Sequence, residues 1–313
     1  MIVFPPVYRC VRRYSLIFTR VRSSTHHRSV SGTSHLSYQS NSSSIDSNAL
    51  VQICTAHVER KAVATLSLAR PPVNSLSLEM CQAISVALKD IESNDSVHGL
   101  VLASSNPTIL SAGLDLAELH RPDPERLQYF WNSFQQLFLD LYGSRLAVVA
   151  AIEGHAPAAG CMLAMCCDYR IMAGTSDCSK KHGKIGLNET LLGIAAPPWL
   201  GQLMVRTIGH RAAEKALSRG DLYSPLEALQ IGLVDKVVPK EEVMSLAIEE
   251  AERWAIIPPQ ARSASKTLTR QEHLDALECT REEDTEKFCS FVSGPKVQAD
   301  LEAFLQAMKK KKK

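Results

Sequence analysis

The chain has 313 residues, 45% hydrophobic and 22% charged, with a net charge of +2 at pH 7. That composition is ordinary for a globular protein, and the length suits one large domain or a domain with an appendage. No apolar stretch reaches the ~18 residues of a membrane-spanning helix, and the nine cysteines form neither a CxxC nor a Cys/His spacing, so no zinc site or disulfide framework is indicated.

The first 45 residues contain no Asp, Glu or Lys, but they carry Arg9, Arg12, Arg13, Arg20, Arg22 and Arg28 and are rich in serine. An Arg- and Ser-rich, acid-free leader is the pattern of a mitochondrial transit peptide, here 1–45, with cleavage expected between 30 and 50. Pro5 and Pro6 break the one apolar run that a secretory signal would need. The plainer alternative is a tail that carries no address.

Ala62 to Ala69 reads as a strand, closed by Arg70-Pro71-Pro72. Met80, Ile84, Leu88 and Ile91 recur at helical spacing, which predicts a helix over about 76–92. Strands are expected at 99–104, 146–152 and 169–172, with a helix at 124–142 and a small-residue segment at 156–167. This alternation predicts an α/β fold with mainly parallel pairing. From Trp199 onward the pattern is helical, at 203–208, 210–218, 225–231 and 241–256, and then from Pro258-Pro259 to about Met308. The expected organisation is a core over 46–255 and a helical C-terminal region over 256–313, an appendage that packs on a neighbour or covers a site. The five terminal lysines read as a solvated tail; the sharper alternative is an anchor for anionic membrane or nucleic acid.

Three segments can carry chemistry. In Ser111 to Glu118, Asp115 and Glu118 have capping-box spacing, and Gly113 permits an unusual backbone angle that would leave the Leu114 amide free. In Gly154 to Cys161, small side chains precede a helix whose first amides stay unpaired at the positive end of its dipole. His155 there is read as a structural histidine. In Gly186 to Ile194, Glu189 lies among Leu187, Leu191, Leu192 and Ile194; if these crowd it, desolvation raises its pKa and makes it a proton shuttle. Taken singly, each segment has a structural reading as well: a turn, tight helix packing, and a first-turn glutamate behind Asn188.

Together these segments resemble the crotonase superfamily. The resemblance rests on Ala112-Gly113-Leu114-Asp115-Leu116, Glu153-Gly154 with Ala158-Ala159-Gly160, Cys167-Asp168-Tyr169-Arg170-Ile171, and Gly186 to Ile194. Ile208 to Glu214 and Gly232-Leu233-Val234-Asp235 add to it, and Pro71 to Leu78 resembles the mitochondrial short-chain enoyl-CoA isomerases in particular. It spans about residues 57–305. It implies a spiral of ββα units, a helical C-terminal region used in trimer formation, and a thioester oxyanion hole made by the amides of Leu114 and Ala159. Substrate would lie along Ala112, Gly113, Leu114, Asp115, Leu116, Ala159 and Gly160. Hydratases of the family place one glutamate two residues after the last glycine of the small-residue segment and a second in the later loop. Here Met162 takes the first place and only Glu189 is retained.

A single carboxylate favours moving a double bond over adding water. The implied reaction is therefore a 1,3-proton shift from 3-enoyl-CoA to trans-2-enoyl-CoA in the β-oxidation of unsaturated chains, in the mitochondrial matrix. The coenzyme A thioester itself acidifies C2, so no metal or other cofactor is implied, and neither nucleic acid nor a membrane span is expected. Two departures from the family pattern stand out. Alanine replaces the usual glycine at 159, so a methyl group would narrow the oxyanion hole, and the segment 174–184, with Lys180, Lys181, His182 and Lys184, is longer than its counterpart. This insertion either forms a surface excursion or displaces Glu189. The rival readings are another acyl-CoA activity such as hydration, and a non-catalytic relative that binds acyl-CoA or RNA through its basic residues.

Overall fold

The computed structural model describes residues 50–58, 61–175 and 182–311. The leader, Lys180, Lys181 and the last two lysines lie outside the described residues. Residues 44–313 cluster as one compact unit.

In chain order the strands are β1 (Val51–Val58), β2 (Lys61–Leu68), β3 (Val97–Ser104), β4 (Ala147–Ile152), β5 (Ala156–Pro157), β6 (Tyr169–Ala173), β7 (Ile185–Gly186) and β8 (Lys236–Val238). The helices are α1 (Leu78–Ser93), α2 (Leu116–Leu119), α3 (Pro124–Tyr142), α4 (Ala159–Cys166), α5 (Pro198–Ile208), α6 (His210–Arg219), α7 (Pro225–Gln230), α8 (Val243–Ala255), α9 (Pro259–Val292) and α10 (Pro295–Lys311). The main sheet has the order β1-β2-β3-β4-β6-β8, and β5 pairs with β7 in a small second sheet. β1 runs antiparallel to β2, and every later pair is parallel.

The parallel strands are covered on both faces, which is why they read as almost unbroken apolar runs. Leu100 and Leu102 of β3, with Val148 and Ala150 of β4, face the large core formed with α1, α3 and α4. Their neighbours Val101, Ala103, Val149 and Ala151 face a second layer against Val243, Ala247, Ala251 and Ala255 of α8. The alanine stripe lets α8 lie close to the sheet: a Cβ on Gly99 would stand 3.0 Å from the Ala251 carbonyl oxygen.

The expected strands and helices are present with small shifts. α5 begins at Pro198 rather than 203, because proline is accommodated in a first helical turn. The final helical stretch is two helices: Pro295 has no amide hydrogen to continue α9, so the chain breaks at Ser293-Gly294. β1, which has no counterpart in the expected pattern, occupies the sheet edge.

Two of the sequence motifs prove to be anchors. The Asp168 carboxylate, almost wholly buried, accepts from Lys266 Nζ and Arg270 Nη2 of α9 at 2.8 Å each, and from the Val148 amide of β4 at 2.8 Å. Arg170 pairs with Asp235 at 2.9 Å, so the Cys167–Ile171 and Gly232–Asp235 motifs hold each other.

Candidate active site

The loop that follows β3 is built against the turn that follows β2. Arg70 Nη1 donates to the Ser75 carbonyl (2.8 Å), and its Nη2 grips Asp115 Oδ2 (2.6 Å). The buried Asn74 side chain donates to Ser104 Oγ and to the Leu110 carbonyl. Three backbone hydrogen bonds, Ala112 to Val73, Leu76 to Gly113 and Asp115 to Leu76, lay residues 112–115 alongside 73–76.

Asp115 caps α2 as its spacing predicts, accepting from the Ala117 amide at 3.1 Å. The reciprocal half of the capping box does not form. Glu118 turns away from the cap; it accepts from the Leu78 amide and from Arg126 and ties α2 to α1 and α3.

Gly113 has φ +94°, and a Cβ there would stand 2.8 Å from Ala158 Cβ and 3.3 Å from the Ala159 nitrogen. The two small-residue motifs, far apart in sequence, therefore abut. The amides of Leu114 and Ala159 donate to no acceptor among the described residues. Ala158, which precedes α4, sits at φ +51° and ψ −126°, a strained angle for a residue with a side chain. Its amide is tied to the Gly186 carbonyl at 2.8 Å. Ala159 is buried within the large core. Gly160 packs against the Ser111 carbonyl.

Glu189 opens a short 3-10 turn, Glu189–Leu192, and Asn188 makes no capping bond to it. The residue is half-buried, but its Oε2 is fully enclosed and has no hydrogen-bond partner. Burial pushes the carboxyl up to about 7. Of the apolar residues expected to crowd it, Leu187 and Ile194 are buried, Leu192 packs against the core, and Leu191 points into solvent. The Glu189 charge, after burial itself, helps to raise the Cys161 thiol of α4, so the two groups lie within electrostatic reach of each other.

Met162 is fully buried in α4, with Cys166 Sγ 3.6 Å from its sulfur. After the undescribed residues 176–181, the Lys184 amide donates to His155 Nδ1 at 3.1 Å, and β7 pairs with β5. The long segment thus rejoins the second motif before Glu189, and His155 has the structural role expected of it. The clamp roles of Arg70 and Asn74 escape a sequence reading, because nothing local marks an arginine or asparagine as the clamp of a distant loop. A cavity of about 520 Å³ between α5 and α9 is lined by Pro197, Trp199, Leu277, Phe288 and Phe291, but not by Leu114, Ala159 or Glu189.

The sequence matches the enoyl-CoA hydratase/isomerase family over residues 58–312. It is 44% identical over 250 residues to the mitochondrial enoyl-CoA delta isomerase 1 of Mus musculus, covering 80% of this chain and 85% of that one. A probable mitochondrial enoyl-CoA hydratase of Dictyostelium discoideum is 31% identical over 233 residues, covering 71% and 79% respectively. The crystal structure of human mitochondrial delta3-delta2-enoyl-CoA isomerase superposes with a TM-score of 0.80 at 41% identity, covering 84% of this chain and 100% of the other. The chain belongs to the enoyl-CoA hydratase/isomerase family and has its crotonase fold.

Proposed function

We propose that the chain is an enoyl-CoA delta isomerase that converts 3-enoyl-CoA to trans-2-enoyl-CoA with Glu189 as its only acid/base. The observation that carries this reading is the Glu189 carboxyl, raised to about 7 with its Oε2 enclosed and unpartnered, and a methionine at the place of the hydratases' other glutamate. Hydration needs one group to activate water and another to manage the proton. A 1,3-shift needs one group that takes a proton and returns it two carbons away.

In the proposed reaction Glu189 removes a proton from C2, and the electron pair moves onto the thioester oxygen to form a dienolate. The free amides of Leu114 and Ala159 stabilise that oxygen, each donor of this kind contributing about 10²–10³ in rate. Protonated Glu189 then delivers the proton to C4, the double bond settles between C2 and C3, and the carboxylate is regenerated. Ala112, Gly113, Asp115, Leu116 and Gly160 shape the channel around the thioester. The reaction consumes no cofactor, because coenzyme A belongs to the substrate. Removal of the 1–45 leader would leave the mature enzyme in the mitochondrial matrix. The core over 46–255 would carry the chemistry, and the helices of 256–313 would contribute to a homotrimer.

The test uses purified wild-type protein and Glu189→Gln with 3-hexenoyl-CoA, with crotonyl-CoA hydration followed in parallel. Isomerisation that is lost in the variant, without comparable hydration by the wild type, is the expected result. A folded wild type that hydrates crotonyl-CoA and does not isomerise would overturn the reading.

A further inference from the structure

The C-terminal helix touches both halves of the site from opposite sides. On one side, Gln298 Nε2 donates to the Leu119 carbonyl (2.8 Å) and to the Val292 carbonyl at the end of α9 (2.8 Å), while its Oε1 accepts from the Arg121 amide (2.7 Å). One turn further along α10, Glu302 Oε2 bonds His120 Nε2 at 2.7 Å and accepts from Arg121 Nη2 at 3.3 Å. These contacts hold the 119–121 turn, which ends the short helix that begins immediately after Leu114 and Asp115. Arg121 takes φ +49° there, a strained angle that persists only where neighbours enforce it.

On the other side, the Asp300 carboxylate stands 3.2 Å from where a Cβ on Gly193 would lie, at the end of the Glu189–Leu192 turn. Residues two apart on a helix point to nearly opposite sides, so Asp300 faces away from Gln298 and Glu302. Val297 and Leu301 are buried in the large core that also holds Leu119, with Leu192 packed against it. α10 is therefore wedged between the segment that carries the Leu114 amide and the turn that carries Glu189.

We infer that α10 acts as a spacer setting the separation of the oxyanion-binding amide and the Glu189 carboxylate, with Gln298 and Glu302 as positioning residues. The inference rests on the isomerase reading of those two groups. Neither side chain has a role in the chemistry. Each acts through the 119–121 turn, and loosening the wedge lets the proton shuttle and the amide drift relative to one another. Misplacement on the ångström scale costs up to about 10²-fold in rate.

The test compares Gln298→Ala/Glu302→Ala with wild type by steady-state kinetics on 3-hexenoyl-CoA and by amide hydrogen exchange. The expected result is a kcat lower by about tenfold with KM changed less than about twofold. Exchange should also quicken together at 117–121 and 190–194. Glu302→Gln, which still accepts from His120 and Arg121, should retain most of the wild-type kcat. Unchanged kcat in the folded double variant, or faster exchange confined to 117–121, would overturn the spacer role. If the double variant does not fold, Glu302→Ala alone carries the same comparison. A wild type without isomerase activity would sink the functional reading, while the paired exchange response would still decide whether α10 couples the two segments.

Discussion

Glu189 Oε2 is enclosed without a donor, so burial takes water from the ionised carboxylate, and a hydrogen bond from the residue's own backbone offsets only part of that loss. That imbalance is the physical source of a carboxyl near 7, where a group can both accept and return a proton at neutral pH. If Glu189 is the base, kcat/KM for 3-hexenoyl-CoA rises as pH increases through about 7 and then levels off. A profile flat from about pH 5.5 to 8 would contradict this assignment. The same shift has a stability consequence. Its folded-state pKa is raised, so the group favours the folded state at pH below its ordinary value of 4.5 and loses that contribution as pH climbs through about 7. Glu189→Gln should therefore gain stability over wild type at pH 8, and the gain should shrink toward pH 5; denaturant midpoints at the two pH values measure it.

At the scale of elements, the positions of the helices follow from a few buried polar contacts as much as from apolar packing. Asp168 joins the end of α4, the start of β4 and the first third of α9 through Lys266, Arg270 and the Val148 amide. Burial lowers the Lys266 amine, and the nearby Asp168 charge works against that loss. Removing one partner of such a cluster leaves buried charge uncompensated. Asp168→Ala should thus cost about 3–5 kcal/mol in urea unfolding. A loss below about 1 kcal/mol would mean that α9 is held by packing alone. The Cys167–Ile171 motif is visible in the sequence as a family signature, yet its partners on α9 are not. A salt bridge nearly a hundred residues long in sequence leaves no periodic trace in either segment.

For the whole molecule, a mostly parallel sheet supports two loops at its strand ends, and α10 packs beside the turn at 119–121 and the turn that ends at Gly193. Ile256, Ile257 and Leu268, around the α8–α9 junction, are left 65%, 43% and 88% exposed. The proposed homotrimer would give such residues a use. Sedimentation equilibrium of the mature protein is expected to return about three times its protomer mass. A monomer at micromolar concentration would remove the assembly part of the proposal.

Strand and helix order, the α/β class, the helical C-terminal region and the three candidate loops were legible in the sequence. Their signals are local: apolar residues repeating at two or at three to four positions, proline and glycine at the boundaries, and compact motifs. Only the tertiary structure decided which residues those loops meet. It brought Gly113 against Ala158 and Ala159, buried the Ala159 methyl in the core, left Glu189 Oε2 without a partner while Leu191 faced solvent, and turned Glu118 from a cap into a tie between helices. Each of these depends on contacts between segments distant in the chain, and the free energy of such contacts depends on burial and geometry that no local pattern encodes.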